Sequence, residues 1–459
     1  MTADLLAPLD LAFWNLETAE HPMHLGALGV FSTHSPTAGA HAADLLAARA
    51  AAVPGLRMRI RDTWHPLAFG AAVREPAPGF DPLHHVLLHA PTPDFQAEAG
   101  RLMQRPLDRT RPPWEAHVLP GEDGVTFAVL FKFHHALADG LRALTLAAAV
   151  LDPMEGPEPR RRTRPGDEEE TPWVRRLLNA PADLAAGVSG RIQDALSGAG
   201  RALDIGASVA VSGLAVRSTP ALTSEPSGTR RTAGVVIDVD DVHRVRKAVG
   251  GTVNDVLIGV VAGALRRWLD ERGDGSTGVV PRALVPVSQR RPRTAQRQGN
   301  RLSGYLVRLP VDQAEPLARL AAVRAAMDRN KDAGPRRGAG AVALLADHVP
   351  ALGHRIGGPL AGQAARLWFD VLVTSVPLPG VGLRLGGHPV VEVYPYAPLA
   401  RGQALAVALS SYRGRVHVGL VADGAAVPDL DRFAAAVSAE VETLVTATAA
   451  GLEDGRGAP

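Results

Sequence analysis

The sequence predicts an α/β protein made of two mixed α/β halves joined by a helical linker. Stretches of strand-like alternation and of helical spacing follow one another in each half of the 459-residue chain. Between the halves, opposed blocks of charge stand beside prolines, a composition typical of a solvated linker. We therefore place a first domain at residues 1–152, the linker at 153–231 and a second domain at 232–459.

The composition excludes several classes of function. Lys plus Arg number 49 and Asp plus Glu 47, and no nucleic-acid-reading motif is present, so we expect no nucleic-acid partner. The chain has no cysteine, which excludes disulfides, thiolate metal sites and a cysteine nucleophile and fits a reducing compartment. The first residues lack a signal-peptide pattern, and no run approaches roughly 18 apolar residues. A cytoplasmic protein without a membrane span is expected.

In the first half, two alternating apolar segments predict strands at 27–31 and 127–133. A helix is predicted at 43–52, because the breakers Pro54-Gly55 follow it. The apolar segment 141–151 predicts another helix soon after the second strand.

Within the linker, apolar residues spaced three and four apart between Val188 and Leu203 predict an amphipathic helix. Two interpretations stay open. The helix packs on the body of the protein or bridges the domains, or it lies on a lipid surface with four arginines toward the headgroups. These arginines are Arg175, Arg176, Arg191 and Arg201.

In the second half, a strand is predicted at 234–239, and Asp240 is expected to cap a short helix that ends at Gly250-Gly251. Thr252 starts a long helix through 269, and Asp255 three residues on resembles a capping box. The other predicted elements are strands at 283–287, 302–309, 367–376, 404–412 and 416–421, a hairpin turn at Arg413-Gly414 and a last helix at 429–445.

The segment His134-His135-Ala136-Leu137-Ala138-Asp139-Gly140 stands where a predicted strand ends and a loop leads into a helix. Side chains at such strand ends often line ligand crevices. A neutral imidazole is suited to take the proton of an alcohol, because its pKa lies near the operating pH. Asp139 is placed to fold back and pair with a basic group. Gly140 removes a side chain where substrate approaches or where the backbone turns sharply.

Two other interpretations of the histidine pair were weighed. A pair such as His84-His85, without an acidic or glycine partner, is typical of surface or core histidines. A metal site is disfavoured, because neighbouring side chains at a strand end point to opposite faces and no H-E-x-x-H is present. No metal site is therefore predicted.

With this motif the sequence resembles the CoA-dependent acyltransferase superfamily, which includes chloramphenicol acetyltransferase and the condensation domains of peptide synthetases. More narrowly, it resembles the bacterial wax ester synthase/acyl-CoA:diacylglycerol acyltransferase family. The matching segments are Pro8-Leu9-Asp10 with Phe13, Leu16-Glu17, Pro22-Met23-His24, Arg111-Pro112-Pro113-Trp114-Glu115, Thr252-Val253-Asn254-Asp255-Val256, Gly299-Asn300, Tyr394-Pro395 through Gly402-Gln403, and Gly419 through Leu430.

The sequence departs from the family pattern in two places. Pro113 stands where leucine is usual. In the run that starts at Thr374, Ser375 replaces the usual asparagine and Leu378 the usual glycine. The second departure leaves the substrate preference open.

The resemblance implies two chloramphenicol-acetyltransferase-like mixed-sheet domains with a tunnel between them. His135 would be the general base, His134 less essential, and Asp139 mainly structural through a salt bridge. Asn254 and Asp255 would shape the site from the second domain, with helix capping as the alternative reading of both. Ser375 would lie near the interdomain channel, and Pro112 to Trp114 would be structural.

The function implied is transfer of a fatty acyl group from acyl-CoA to the hydroxyl of diacylglycerol or a long-chain alcohol, giving triacylglycerol or wax ester. Acyl-CoA would be a co-substrate, with no further cofactor. The acceptor is water-insoluble, so attachment to a membrane or lipid-droplet surface is an expectation. Three alternatives stay open: an acyltransferase for a hydroxylated natural product, a peptide-forming condensation domain, and a non-catalytic lipid-binding protein of the same fold.

Overall fold

The structure is a computed structural model that describes residues 4–63, 71–154, 219–288, 302–333, 369–378 and 380–454. Most of the predicted linker, including its amphipathic stretch and arginines, lies outside the described residues, as does Gly299-Asn300.

The first part of the chain contains eight strands and four helices among its described residues. In order they are β1 (Asp4–Leu5), α1 (Pro8–Leu16), β2 (His24–Ser32), α2 (Ala38–Ala52), β3 (Met58–Asp62), β4 (Ala72–Pro76), β5 (Val86–Leu88), α3 (Phe95–Met103), β6 (Trp114–Pro120), β7 (Thr126–His134), α4 (Gly140–Ala148) and β8 (Asp152–Pro153).

The later part of the chain also contains eight strands and four helices among its described residues. In order they are β9 (Arg230–Asp238), α5 (Val239–Val249), α6 (Val253–Arg272), β10 (Arg282–Ser288), β11 (Leu302–Arg308), α7 (Pro316–Ala333), β12 (Val371–Ser375), β13 (Leu383–Leu385), β14 (His388–Tyr396), β15 (Leu405–Tyr412), β16 (Arg415–Asp423) and α8 (Leu430–Asp454).

Most elements predicted in the described regions are confirmed. Thr252 and Asp255 form the predicted capping box at the start of α6. The hairpin between β15 and β16 turns at Arg413 and Gly414, whose φ angles of 49° and 77° are those of a two-residue turn between antiparallel strands. The predicted cap of α5 was wrong. Asp238 is the capping residue and accepts the N–H of Asp240 at 2.8 Å, so Asp240 lies within the first turn of the helix instead of at its cap.

The strands form two large sheets and a small one. The first sheet has seven strands in the order β5-β6-β7-β2-β14-β13-β8, and the second has six in the order β11-β10-β12-β15-β16-β9. β13 and β14 come from the later part of the chain but belong to the first sheet, so the predicted boundary at 232 does not divide the two sheets. No strand was predicted over the residues of β13 and β14, and a local pattern would not have specified their partners in the first sheet. The small sheet has the order β1-β4-β3.

The two large sheets pack closely where β14 crosses β16. A Cβ on Gly419 would lie 1.8 Å from the carbonyl oxygen of Pro395, so only glycine permits this approach. Leu28, Leu130 and Val421 belong to one apolar cluster that joins the sheets. The halves are therefore held together by buried contacts.

Among the described residues, helix α8 is long and apolar enough to cross a membrane over Leu430–Ala450, and the bent pair α5 and α6 passes the same test only as one broken span. In this structure Phe433, Val437 and Leu444 of α8 lie in the core of the second half. Glu440 on the same helix forms a buried ion pair with Arg319 at 2.5 Å. We therefore assign α8 to the protein core.

Candidate active site

The two histidines of the motif lie at the end of β7, as predicted. The N–H of His134 donates to the carbonyl of Pro113 at 2.9 Å, and the N–H of His135 donates to the carbonyl of Met23 at 2.9 Å. These bonds continue the pairing of β7 with its neighbours β6 and β2. The main chain of both histidines is thus held from both sides.

His134 is fully buried, and its hydrogen bonds define its tautomer. Its Nδ1 lies 3.0 Å from the main-chain nitrogen of Ala136, and its Nε2 lies 3.0 Å from Oε2 of Glu17. A main-chain N–H can only donate, so Nδ1 is the acceptor and Nε2 carries the proton. Both ring nitrogens of His134 are therefore engaged by protein groups.

Glu17 lies directly after α1, and its pKa is below the ordinary value. Burial alone would raise the pKa of this carboxyl, but the hydrogen bonds from His134 and from the main chain of Met23 favour the charged form and outweigh that effect. Arg109 adds a smaller favourable charge, and its guanidinium stacks 3.6 Å above the ring of Trp14. Glu17 is therefore a carboxylate.

The ring of His135 stacks on Phe13, with 3.9 Å between the ring centroids, and the residue is 9% exposed. Burial lowers the pKa of His135 to about 4, although a hydrogen bond to its own main chain and the charge of Asp139 oppose the shift. At neutral pH the side chain is a neutral imidazole, the form that a general base requires.

One face of α1 contacts the histidine loop along its whole length. Phe13, Trp14 and Glu17 touch the histidines, with Trp14 edge-on to His134 at 5.0 Å. One turn earlier, Asp10 lies 3.6 Å from Arg74, whose guanidinium donates to the carbonyl of Ala136 at 2.8 Å. The spacing of three, four and seven residues is that of a single helix face. Sequence reasoning missed these contacts, although the spacing was a signal for them.

Asp139 caps the helix that follows the loop. Its Oδ1 accepts the N–H of Arg142 at 2.8 Å, at the start of α4. The salt bridge that the resemblance implies for Asp139 stays a prediction. Gly140 is the first residue of α4 and has no positive φ, so a left-handed backbone does not account for the glycine, and the approach of substrate at this position stays a prediction. A Cβ on Gly140 would lie 3.7 Å from a side-chain methyl of Val376, an ordinary contact distance.

The second half contributes two of the predicted residues at one place. The hydroxyl of Ser375, at the end of β12, donates to Oδ1 of Asn254 in the first turn of α6 at 2.8 Å. The next residue, Val376, is the one that lies against Gly140, so this pair is close to the histidine loop.

Asp255 has a structural role in the helix cap. Its Oδ2 accepts the N–H of Thr252 at 2.8 Å and lies 3.6 Å from Nζ of Lys331, and the residue is 1% exposed. The capping interpretation of Asp255 is confirmed, and a contact with substrate stays a prediction.

Within the part of the chain that the structure describes, no three histidine, aspartate or glutamate side chains lie together as a metal site would require. The rings of His134 and His135 turn to different partners, Glu17 and Phe13. Neighbouring side chains at a strand end point in different directions, as these two rings do.

Two family models cover most of the chain. Residues 6–257 match the wax ester synthase/diacylglycerol acyltransferase catalytic domain, and residues 298–444 match the C-terminal domain of the same family. The chain belongs to the wax ester synthase/diacylglycerol acyltransferase family. It is an acyl-CoA-dependent acyltransferase, as the resemblance implied.

Similar proteins agree over nearly the full length. A protein of Mycobacterium tuberculosis named as a probable diacylglycerol O-acyltransferase, tgs1, is 30% identical over 458 residues, which cover 96% of this chain and 95% of the relative. A second one from the same species, tgs2, is 31% identical over 459 residues, covering 96% and 98%.

Solved structures agree in fold. The wax ester synthase/diacylglycerol acyltransferase of Marinobacter aquaeolei VT8 matches with a TM-score of 0.71 at 24% identity, over 97% of this chain and 100% of that chain. The trichothecene 15-O-acetyltransferase TRI3 of Fusarium sporotrichioides matches with a TM-score of 0.60 at 13% identity, over 96% and 94%. The α/β fold predicted for this acyltransferase family is confirmed, and the tunnel between the domains stays a prediction.

Proposed function

We propose that this acyltransferase moves a long-chain fatty acyl group from acyl-CoA to the hydroxyl of diacylglycerol or of a long-chain alcohol, with His135 as the general base. The products would be CoA and a triacylglycerol or wax ester. The observation that carries the proposal is the ring of His135, which is neutral at the end of β7 and is held against Phe13.

The base acts on the acceptor alcohol. His135 takes the hydroxyl proton as the oxygen forms a bond to the thioester carbonyl carbon. Because an alcohol has a pKa far above neutrality, this proton transfer supplies about 10²- to 10⁴-fold of rate. The tetrahedral intermediate then collapses, the carbon–sulfur bond breaks, and His135 returns the proton to the CoA sulfur. No net proton is gained or lost, and the thioester supplies the activation, so we propose no cofactor beyond acyl-CoA.

Asn254 is our candidate for stabilising the oxyanion. Its Oδ1 accepts from Ser375, which directs its amide nitrogen elsewhere as a donor. Asn254 also lies in the first turn of α6, where the main-chain N–H groups have no acceptor within the helix. A donor at this position favours the charge that develops on the carbonyl oxygen.

The proposed location of the enzyme follows from the low solubility of its proposed acceptors. We propose a cytoplasmic enzyme that attaches to the surface of a membrane or lipid droplet, because both proposed acceptors are water-insoluble. Acyl-CoA and the lipid alcohol are then its partners, and no nucleic acid is expected.

The test is release of CoA thiol from palmitoyl-CoA by the purified full chain, with dioleoylglycerol or hexadecanol as acceptor and His135→Ala as control. We expect release that requires both an acceptor and His135, and the better acceptor identifies the lipid product. Binding of palmitoyl-CoA with no release that depends on His135 would contradict the proposal and support a lipid-binding role.

A hydroxylated natural product is the second candidate acceptor, because Ser375 departs from the usual asparagine and bonds directly to Asn254. Ser375→Asn restores the family residue at this point. If the acceptor is a lipid alcohol, we expect the variant to retain release with dioleoylglycerol or hexadecanol. If release occurs with neither lipid but does occur with smaller alcohols, the second candidate is favoured.

A further inference from the structure

Glu17 is a buried carboxylate that contacts His134 of the histidine pair directly. Its side chain is 4% exposed and makes two hydrogen bonds. Oε2 lies 3.0 Å from Nε2 of His134, and Oε1 accepts the N–H of Met23 at 3.2 Å. Both oxygens are therefore engaged as acceptors by buried donors.

The two hydrogen bonds of Glu17 support the main chain on both sides of His135. Through His134, Glu17 supports the contact of Nδ1 with the N–H of Ala136, the residue after the base. Through Met23, it supports the residue whose carbonyl accepts the N–H of His135 itself. The peptide units on both sides of His135 thus depend on one carboxylate.

We propose that Glu17 is a positioning residue for acyl transfer. It holds His134 in the tautomer with the proton on Nε2, so that Nδ1 accepts from Ala136 and the loop presents the ring of His135. The proposal rests on His135 being the base. Glu17 itself does not touch substrate.

The chemistry of the pocket requires a carboxylate. Each oxygen of Glu17 faces a donor, and an ionised carboxylate is acceptor-only at both oxygens. A glutamine has one oxygen and one NH₂ group, so one of the two donors would then face another donor. Turning the NH₂ toward His134 would demand the other tautomer, which would set Nδ1–H against the N–H of Ala136.

The first experiment compares Glu17→Gln with Glu20→Gln in the full chain. Glu20 lies in the same turn and is exposed, so it receives the same chemical change without the buried contacts. We expect Glu17→Gln to lower kcat about tenfold or more, the effect of leaving a buried donor unpaired, while the KM for palmitoyl-CoA stays near wild type. Glu20→Gln should stay within about twofold. Equal values for the two variants would overturn the proposal.

A double-mutant cycle shows whether Glu17 acts through His134. His134→Asn can place an amide oxygen where Nδ1 was, to accept the N–H of Ala136, but its side chain is too short to bring a donor to the position of Nε2 beside Glu17. Because the two side chains form one unit, the double variant should be no slower than the slower single variant. Multiplied losses would mean that Glu17 acts independently of His134, against the proposal.

Two controls separate this proposal from the proposed function. Circular dichroism establishes that each variant is folded, and Glu17→Asp, which keeps both acceptor oxygens with a shorter reach, replaces Glu17→Gln if the latter is not. We expect Glu17→Asp to recover part of the kcat. If His135→Ala is as active as wild type, the base assignment fails. If His135→Ala is inactive and Glu17→Gln is fully active, only the positioning role fails.

Discussion

The chain carries the same dipeptide twice, and the two copies have different surroundings. His84 has a side chain that is 52% exposed, and its Nδ1 lies 3.6 Å from Asp81. His85 is buried, its Nδ1 lies 2.8 Å from the carbonyl oxygen of Trp114, and its ring stacks on the Trp114 ring at 4.8 Å. A carbonyl can only accept, so His85 is the donor. In the first pair, His84 is therefore a surface side chain, and His85 is a core side chain with a hydrogen-bond partner.

The second pair is arranged by another segment of the chain. His134 is bonded to a carboxylate from the end of α1, and His135 stacks on Phe13 of the same helix. Burial lowers the pKa of both His85 and His135, so a lowered pKa does not distinguish a base from a core residue. His135 differs from His85 in its position. It lies in the loop that leads to the start of α4 at Gly140, and Val376 from the later part of the chain lies close to that glycine.

The largest expected difference between the two histidine pairs is in the pH dependence of kcat/KM. Phe13→Ala exposes the ring of His135 to water, so its pKa should rise from about 4 toward the ordinary value of 6.5. The neutral ring is the active form, so wild type stays active between these values while the variant becomes protonated and inactive. The acid limb of kcat/KM should move up by as much as about two pH units, with little change above pH 7 or so.

The matched control for this pH experiment is Phe80→Ala, because Phe80 stacks on His85 at 5.2 Å. Its acid limb should coincide with that of wild type. A shift as large as that of Phe13→Ala would show that the limb does not report His135.

The next effect in size is on stability. His85→Ala removes a buried ring and leaves the carbonyl of Trp114 without its donor, so unfolding in urea should require about 2 kcal/mol less. The rate per folded molecule should be unchanged. A rate loss beyond about tenfold at full folding would contradict a purely structural His85.

A smaller effect is expected at the helix cap after the second pair. Asp139→Ala removes the acceptor for the N–H of Arg142 and should lower the free energy of unfolding by about 1 kcal/mol. Asp139→Asn keeps an acceptor. If thermal unfolding shows the asparagine variant near wild type, the cap accounts for Asp139; if it is as unstable as the alanine variant, the predicted salt bridge is needed.

The smallest effect belongs to His84. Its exposed ring and its distant partner Asp81 predict a change within about 0.5 kcal/mol for His84→Ala. Activity should match that of wild type. A large loss in either measurement would mean that the first pair is more than a surface and a core histidine.

Features set by neighbouring residues were predictable from the sequence. The strand that ends at His134, the helix after Asp139 and the capping box at Thr252 all depend on contacts within a few positions. The cap at Asp238 was missed in favour of Asp240, because aspartates two positions apart offer equivalent side chains and only the backbone geometry decides.

Features set by distant contacts were not predictable in the same way. Glu17 and His134 are 117 positions apart, and Ser375 and Asn254 are 121 apart. The family resemblance named three of these four residues as site residues, but the sequence did not indicate which side chain meets which. The strand β14 was not predicted at all, and its pairing with β2 in the first sheet joins residues far apart in the chain.

The most direct test of the central claim measures CoA release from palmitoyl-CoA, with the preferred acceptor, for wild type, His135→Ala and His85→Ala under conditions where all three are folded. We predict that His135→Ala loses about 10²- to 10⁴-fold in kcat while His85→Ala stays within a few-fold of wild type. If His135→Ala also stays within a few-fold of wild type, His135 is not the base and the account is wrong.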